Sequence, residues 1–448
     1  MNAPSAQHAI ARFARFAVSS QAGDDHAATL QLTDAFIALL AGADCNDGRR
    51  VAGFFGEFGS GTLSLAATLA ATIRLTELDD IHRATAVTPS AIVVPAVLAI
   101  CAMSGVTVGS RNVLDAMHVG EEIAVSLALS LGGANLLSQG CWPALTVAPF
   151  GAAAAAGRVL GLSESEMEHA LALALAQTPP PIGRTPAQQP ARWLLFGEAV
   201  RAGCMAALAA RDGFQADKAL LDENWANRIG VRDVLYRPYG AELPVGVRSA
   251  ISVKPHPGAK QTMAAIYGLQ AMMKGGIVAH AIEKIEVHVP HAYASMVVRE
   301  PPQTGRLASF VSVSGQLALA ALQPAALDDI SRESVIWNAE MQRFVERVSV
   351  VPDASLDASY PAQFPARLRV TANGRTHEIS VMDSLGDPSL PLDQAGLSDK
   401  AERIVGHHRD RSIVSLAGDA AVRTSSLERL CGWLKQRFDA DAGHKVLA

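Results

Sequence analysis

Residues 78–100 read LDDIHRATAVTPSAIVVPAVLAI, and the first six hold Asp79, Asp80, His82 and Arg83. If the helical pattern of LAATLAATIRLTE continues through them, Asp79 and Arg83 share a face at four-residue spacing. Asp79 and His82 are then three apart, so that a carboxylate orients or acidifies an imidazole, as proton transfer requires. The same spacing also fits ordinary charges at the end of a surface helix. Pro89 ends the turn, and Ser90 is a candidate cap for the buried helix SAIVVPAVLAI.

A second stretch, SVKPHPGAKQTMAAIYGLQAMM (252–273), brackets His256 with two prolines and leads into an amphipathic helix beginning near Gln261. Lys254, His256 and Lys260 would gather at that helix N-terminus, where an anion is favoured; a rigid connector fits the same residues. In PARWLLFGEAVRAG, Arg192 and Arg201 could hold a carboxylate bidentately. No P-loop, HExxH or GxSxG occurs, nor a GxGxxG after a strand. FFGEFGSGTLS lacks the strand–turn–helix setting of a nucleotide loop.

These candidates must be positioned by a largely helical chain. It has 448 residues, 49% hydrophobic and only 18% charged, enough for a large buried core and against disorder. The net charge of −5 lacks the basic surplus of a nucleic-acid binder. Five scattered cysteines without CxxC spacing point to inert thiols in a reduced cytoplasm, with neither a disulfide framework nor a metal site. The first twenty residues lack the continuous apolar run of a secretory signal. Stretches such as 91–103 and 151–160 are shorter than the roughly 20 residues of a membrane span, so no membrane partner is expected.

Helical periodicity runs from about 5 to 265, with HAATLQLTDAFIALLAGA ending on Gly42 and SEMEHALALALAQ capped by Ser163 or Ser165. FGEAVRAGCMAALAARDGF stops at Gly213, and Gly/Pro breaks at 57–61, 132–140, 178–190 and 237–246 mark loops. Beyond 275 the texture changes. IEKIEVHVP alternates over Ile282 to Val289, further strands follow, and Asn373-Gly374 has the composition of a tight hairpin turn. Helices return after 388. The expected fold is mainly α, with helices over 1–274 and 389–448 and a smaller α+β domain (275–388). The alanine-rich helices leave more apolar surface than one subunit buries, which predicts a homodimer through the helical domain.

Five ordered blocks resemble the MmgE/PrpD family over nearly the full length. DAFIALLAGA is similar to its first long helix, LDTLGCALAG. LTELDDIHRATAVTPSAIVVPAVLA resembles HALDFDDTHxxxxxHPSAxVVPAALA, and APFGAAAAAGRVLGLS resembles GAFGAAAAAARLLGLD. VKPHPGAKQTMAAIYGL corresponds to KPYPxCRxTHPAIDA, and ASFVSVSGQLALAAL to FSLPYxLAxAL.

The resemblance implies one large all-helical domain from both chain ends (1–274 and 389–448), with the α+β domain (275–388) as its lid. It also implies a homodimeric, cofactor-independent enzyme that moves a proton beside a carboxylate of a di- or tricarboxylic acid. Family activities include 2-methylcitrate dehydratase, cis-aconitate decarboxylase and iminodisuccinate epimerase. It assigns Asp79, His82 and Lys254 as catalytic candidates. Glu77, Asp80, Thr88, Trp142, Arg192, His256 and Lys260 become substrate-binding candidates, with no metal. A hydro-lyase of the 2-methylcitrate dehydratase type is the first expectation. An epimerase, isomerase or decarboxylase, or a degraded small-molecule-binding scaffold, is the alternative.

The pocket departs from the family pattern. The threonine of DDT is Ile81, the histidine of HPS is Thr88 and the histidine of GFHP is Trp142. The lysine and histidine of KxLH are Arg192 and Leu195, and a Cys or His five residues after Lys254 is Ala259. Losing histidines removes groups that titrate near neutral pH and leaves a more apolar, less cationic pocket. Asp79, His82, Arg192 and Lys254 are expected to converge on one cleft between the domains. Lys254→Ala is expected to cut activity while barely changing the melting temperature.

Overall fold

The computed structural model describes residues 7–23, 25–103, 108–179, 191–221, 225–231, 246–298 and 306–439. Most of the loops expected over 178–190 and 237–246 lie outside them. The protein is mainly α-helical. It divides into two compact units: residues 1–75, 79–251 and 407–448 form the first, and 76–78 with 252–406 the second.

The first unit is a helical stack around Pro143–Leu160, which packs on Ser110–Ser130, Ala191–Arg211 and Pro89–Cys101. Small residues set the spacing. A Cβ on Gly203 would lie 2.3 Å from the carbonyl of Pro149, and one on Gly120 would lie 2.9 Å from that of Gly151. The alanine and glycine content is therefore what lets these helix backbones approach so closely. Of the two serines that could cap Glu164–Ala176, Ser163 does so, in a reciprocal capping box with Glu166. The late helix Ser412–Ala420 packs on Asp25–Asp44 in the same unit, where a Cβ on Gly418 would meet Thr33.

Several boundaries differ from the sequence expectation. Asp25–Asp44 runs two residues past Gly42 before Asn46–Gly56 begins. Helix Thr62–Arg74 stops at Arg74, so Asp79, His82 and Arg83 do not share a helix face. Leu78–Asp80 is irregular, and Ile81–His82 forms a short strand whose His82 bridges back to Val87. Ser90 is not the cap of Pro89–Cys101; Thr88 holds that position without a side-chain cap bond. Pro143–Leu160 and Ala191–Arg211 are, contrary to expectation, long and apolar enough to cross a membrane by length and composition. In this unit 89% of the first and 56% of the second is covered by protein.

The four buried cysteines, Cys45, Cys141, Cys204 and Cys431, and the half-buried Cys101 are all free thiols. Burial pushes Cys204 up to about 12 and Cys431 up to about 11, which keeps both as unreactive thiols.

The second unit is built on a four-stranded sheet in the order Val348–Pro352, Ile282–Val289, Ala366–Ala372, Arg375–Val381. The first pair is parallel and the others antiparallel, with Ile285 opposite both Val348 and Val370. Strand Ile282–Val289 has the predicted limits, and Asn373 and Gly374 make the predicted turn at φ 50° and 70°. Helices Lys260–Lys274 and Val313–Leu322 bury Ile285, Val287, Leu368 and Val370 beneath Met263, Leu269 and Leu317. Close approach again uses glycine: a Cβ on Gly268 would lie 3.1–3.3 Å from Leu368, Ile379 and Val381.

Candidate active site

In the first unit the end of helix Thr62–Arg74 places a cation in the core. Arg74 is buried and its Nη1 lies 3.2 Å from Oδ1 of Asp79, which has no exposure. The Arg74 guanidinium sits 5.1 Å from the Trp142 ring and 5.2 Å from the Trp193 ring. Arg192 lies against the same two rings, at 5.0 Å and 4.0 Å. Trp142 is held at the N-terminus of Pro143–Leu160, and Phe196 packs 5.7 Å from it. The result is two guanidinium groups against indole faces, one of them paired with a buried carboxylate, where cation–π attraction adds to Coulombic attraction.

Arg201 takes no part. Nine residues along helix Ala191–Arg211 from Arg192, it projects to the opposite side and pairs with Glu198 at 2.5 Å. The expected Arg192–Arg201 clamp does not form. Leu195, in the position of a family histidine, is exposed.

Asp80 turns the other way from Asp79. Its Oδ1 accepts the Ser90 backbone N–H at 3.0 Å and the Ser90 hydroxyl at 2.8 Å, so it caps Pro89–Cys101 in place of a cap side chain. Its Oδ2 accepts Gln31 Nε2 at 2.7 Å. Gln31 in turn accepts Arg248 Nε at 3.2 Å, and Arg248 donates to Glu121 at 2.8 Å. Neighbouring Glu122 accepts the backbone N–H groups of Gly246 and Val247. Burial pushes Asp80 up to about 7 and Glu121 up to about 7, each raised further by a neighbouring carboxylate.

His82 is buried, with Nδ1 2.9 Å from Thr85 Oγ1 rather than beside Asp79. Burial, helped by Arg83, lowers it to about 4, so it is a neutral imidazole at pH 7. Thr88 is buried at the helix start, and its Oγ1 has no hydrogen-bond partner among the described residues.

In the second unit Glu77 holds a left-handed backbone at φ 53°, unusual for a non-glycine residue and a strain characteristic of functional sites. Its carbonyl accepts Lys254 Nζ at 2.8 Å and the Gly258 N–H at 3.0 Å. Lys254, His256 and Lys260 do not share one anion position at the N-terminus of Lys260–Lys274. His256 pairs with Asp328 at 2.7 Å, while Lys260 is buried on Asp387 at 2.8 Å and on Ser384 at 3.0 Å. Ala259 is the N-cap of that helix.

The structure thus gathers Asp79, Trp142 and Arg192 in one unit, and Glu77 and Lys254 in the other. Asp80, His82, His256 and Lys260 each have a separate partner. Arg74, Trp193, Gln31, Glu121 and Asp328 were not foreseen. Arg74 carried a signal, a lone cation closing the apolar run LAATLAATI, and Glu121-Glu122 another, paired acids inside an apolar helix.

The buried acids give a pH dependence whose sign is fixed. Asp80 and Glu121 keep their protons in the folded chain up to about 7 but lose them near 4 when unfolded. Their contribution is complete below pH 4 and is lost as pH rises through 7. His82 and His118 are both lowered to about 4 by burial, so their contribution is complete above pH 6.5 and is lost as pH falls through 4. The two effects oppose each other between pH 4 and 6.5, and only the acids act above it. Stability should therefore fall by about 1–2 kcal/mol between pH 6.5 and 8. Thermal melts of Asp80→Asn/Glu121→Gln should lose that fall; an unchanged slope would place the protons elsewhere.

The architecture and these clusters define a mainly helical protein with buried acids and cations at the positions singled out in its sequence. The chain belongs to the MmgE/PrpD family: the family's N-terminal domain matches residues 26–242 and its C-terminal domain matches 256–416. It is 34% identical over 172 residues to a cis-aconitate decarboxylase of Aspergillus terreus, covering 37% of this chain and 34% of that protein. It is 26% identical over 238 residues to the cis-aconitate decarboxylase-like protein oryM of Aspergillus oryzae, covering 50% and 46%. The chain thus spans less than half the length of these curated relatives.

Proposed function

We propose that the chain is a lyase, of hydro-lyase type, acting by proton transfer beside a carboxylate of a small di- or tricarboxylic acid. The observation that carries this reading is the cluster of Asp79, Arg74 and Arg192 on the faces of Trp142 and Trp193. A guanidinium with limited water around it recognises a carboxylate strongly, and a carboxylate beside it is a ready proton acceptor. In this reading Arg192 holds a substrate carboxylate, and Lys254 is the carboxylate-binding candidate of the second unit. Asp79 takes part in proton transfer, and Arg74 fixes its direction. Glu77 lines the substrate position. Asp80 and Lys260 support the loops, and His82, neutral at pH 7, is a positioning group.

Decarboxylation is a second reading, supported by the activity named for the relatives and by the aromatic wall of Trp142, Trp193 and Phe196. Loss of carbon dioxide moves one carboxylate's electron pair onto carbon, where it takes a proton. The product carries one charge fewer, and apolar surroundings favour that loss of localised charge. Incubation with citrate, 2-methylcitrate, cis-aconitate and iminodisuccinate separates the two. Loss of water is the expected result, carbon dioxide release would select the second reading, and silence on all four would sink both for these substrates.

A further inference from the structure

We infer that His256, positioned by Asp328, exchanges the proton with the substrate carbon. This inference rests on the function proposed above. His256 Nδ1 donates to Asp328 Oδ1 at 2.7 Å, and the other carboxylate oxygen accepts Arg403 Nη1 at 2.5 Å. Burial alone would raise Asp328, but the hydrogen bonds and charges of His256 and Arg403 outweigh it and hold the carboxyl below its ordinary value. An ionised Asp328 fixes the proton on Nδ1 and leaves the lone pair on Nε2, the tautomer a general base needs.

The imidazole is mounted on a braced loop. Arg403 Nη2 donates to the Pro255 carbonyl at 3.2 Å, and the Pro257 carbonyl accepts Gln316 Nε2 at 3.0 Å and Arg332 Nη2 at 3.3 Å. Two residues before His256, Lys254 donates to the Glu77 carbonyl, which the Gly258 N–H also reaches. Nε2 has no hydrogen-bond partner among the described residues, and the side chain keeps 13% exposure. The charged groups around it are Asp328, Arg403 on helix Gln394–Val405, Arg332 at Pro257, and Lys254 on its own loop.

The rest of the chain makes this imidazole matter. His82 is a weak base because burial depresses it. His256 instead has a carboxylate against one nitrogen and an open second nitrogen. The step balances without a further reactant. Nε2 takes the proton beside the substrate carboxylate, and the C–H electron pair enters that carboxylate as an enediolate. The pair then forms the carbon–carbon double bond as the C–O bond breaks. The departing hydroxide takes the proton from the imidazolium and leaves as water.

His256→Gln and His256→Ala in the full chain test the assignment. Both should lower kcat by about 10²–10⁴-fold while KM moves by no more than about threefold. Free imidazole should restore part of the activity of His256→Ala. Asp328→Asn should lower kcat by about tenfold or more, without rescue by imidazole. Wild-type kcat in His256→Gln would overturn the inference. So would a loss that only follows the melting temperature and ignores imidazole, which would make the network a brace. A wild-type chain inert toward every di- and tricarboxylate would instead overturn the proposed function, and this inference with it.

Discussion

Lys254→Ala should lower turnover by about 10²–10⁴-fold, an effect as large as that expected for His256. The ammonium is almost fully buried, with Nζ 2.8 Å from the Glu77 carbonyl, and it lies on the loop that also carries His256. A cation fixed in that way has little freedom to lose when a carboxylate arrives, so its attraction is delivered in the transition state. Lys254→Arg should recover little: the longer, permanently charged fork does not fit a site built for a compact ammonium. Sequence alone suggested that the melting temperature would hardly move. The structure changes that expectation, because the ammonium also holds a strained Glu77 at φ 53°. The Gly258 N–H still satisfies the same carbonyl, so a cost of about 1–2 kcal/mol is expected rather than unfolding. Parallel kinetics and melts separate the two contributions, and wild-type turnover in Lys254→Ala would remove the lysine from the site.

Asp79→Asn should act on both stability and activity. Asp79 has no exposure and meets Arg74, itself buried between Trp142 and Trp193. Neutralising one partner of such a pair leaves the other charge less compensated in the core, at a cost of about 3–5 kcal/mol. Activity should fall by at least about 10²-fold even at temperatures where the variant is fully folded. Asp79→Asn/Arg74→Met should regain much of the stability, because both charges leave together, and regain none of the activity. If the single variant melts like the wild type, the buried pair is not a pair in solution.

The regular elements were legible in the sequence wherever local chemistry decides them. Alternation set strand Ile282–Val289, Asn373-Gly374 set the hairpin, and the serines at 163 and 165 narrowed a helix start that Ser163 makes. The segment 75–88 was not legible in this way. Its helical pattern carries through Leu75 and Leu78, yet the helix ends at Arg74, whose side chain meets Asp79 and two indole rings from distant parts of the chain. The family pattern located Asp79, Trp142, Arg192 and Lys254 as positions but could not name their partners. Asp80 shows why: its proton and its cap role depend on Ser90, Gln31 and Glu121, separated from it by up to half a hundred residues of chain. His256 was read as an anion contact, since nothing near it in sequence foretells Asp328.

Proton exchange at carbon tests the central claim most directly. The wild-type chain, incubated in deuterated water with each small di- and tricarboxylic acid of the panel, should place deuterium on a carbon beside a carboxylate of at least one. Proton NMR would show the lost signal, and His256→Gln should abolish this exchange under conditions where that variant is folded. Exchange need not await product release, so the measurement reads the proton step whether water or carbon dioxide later departs. A folded wild-type chain that leaves every such carbon–hydrogen bond unexchanged, and turns over none of the panel, would contradict the account.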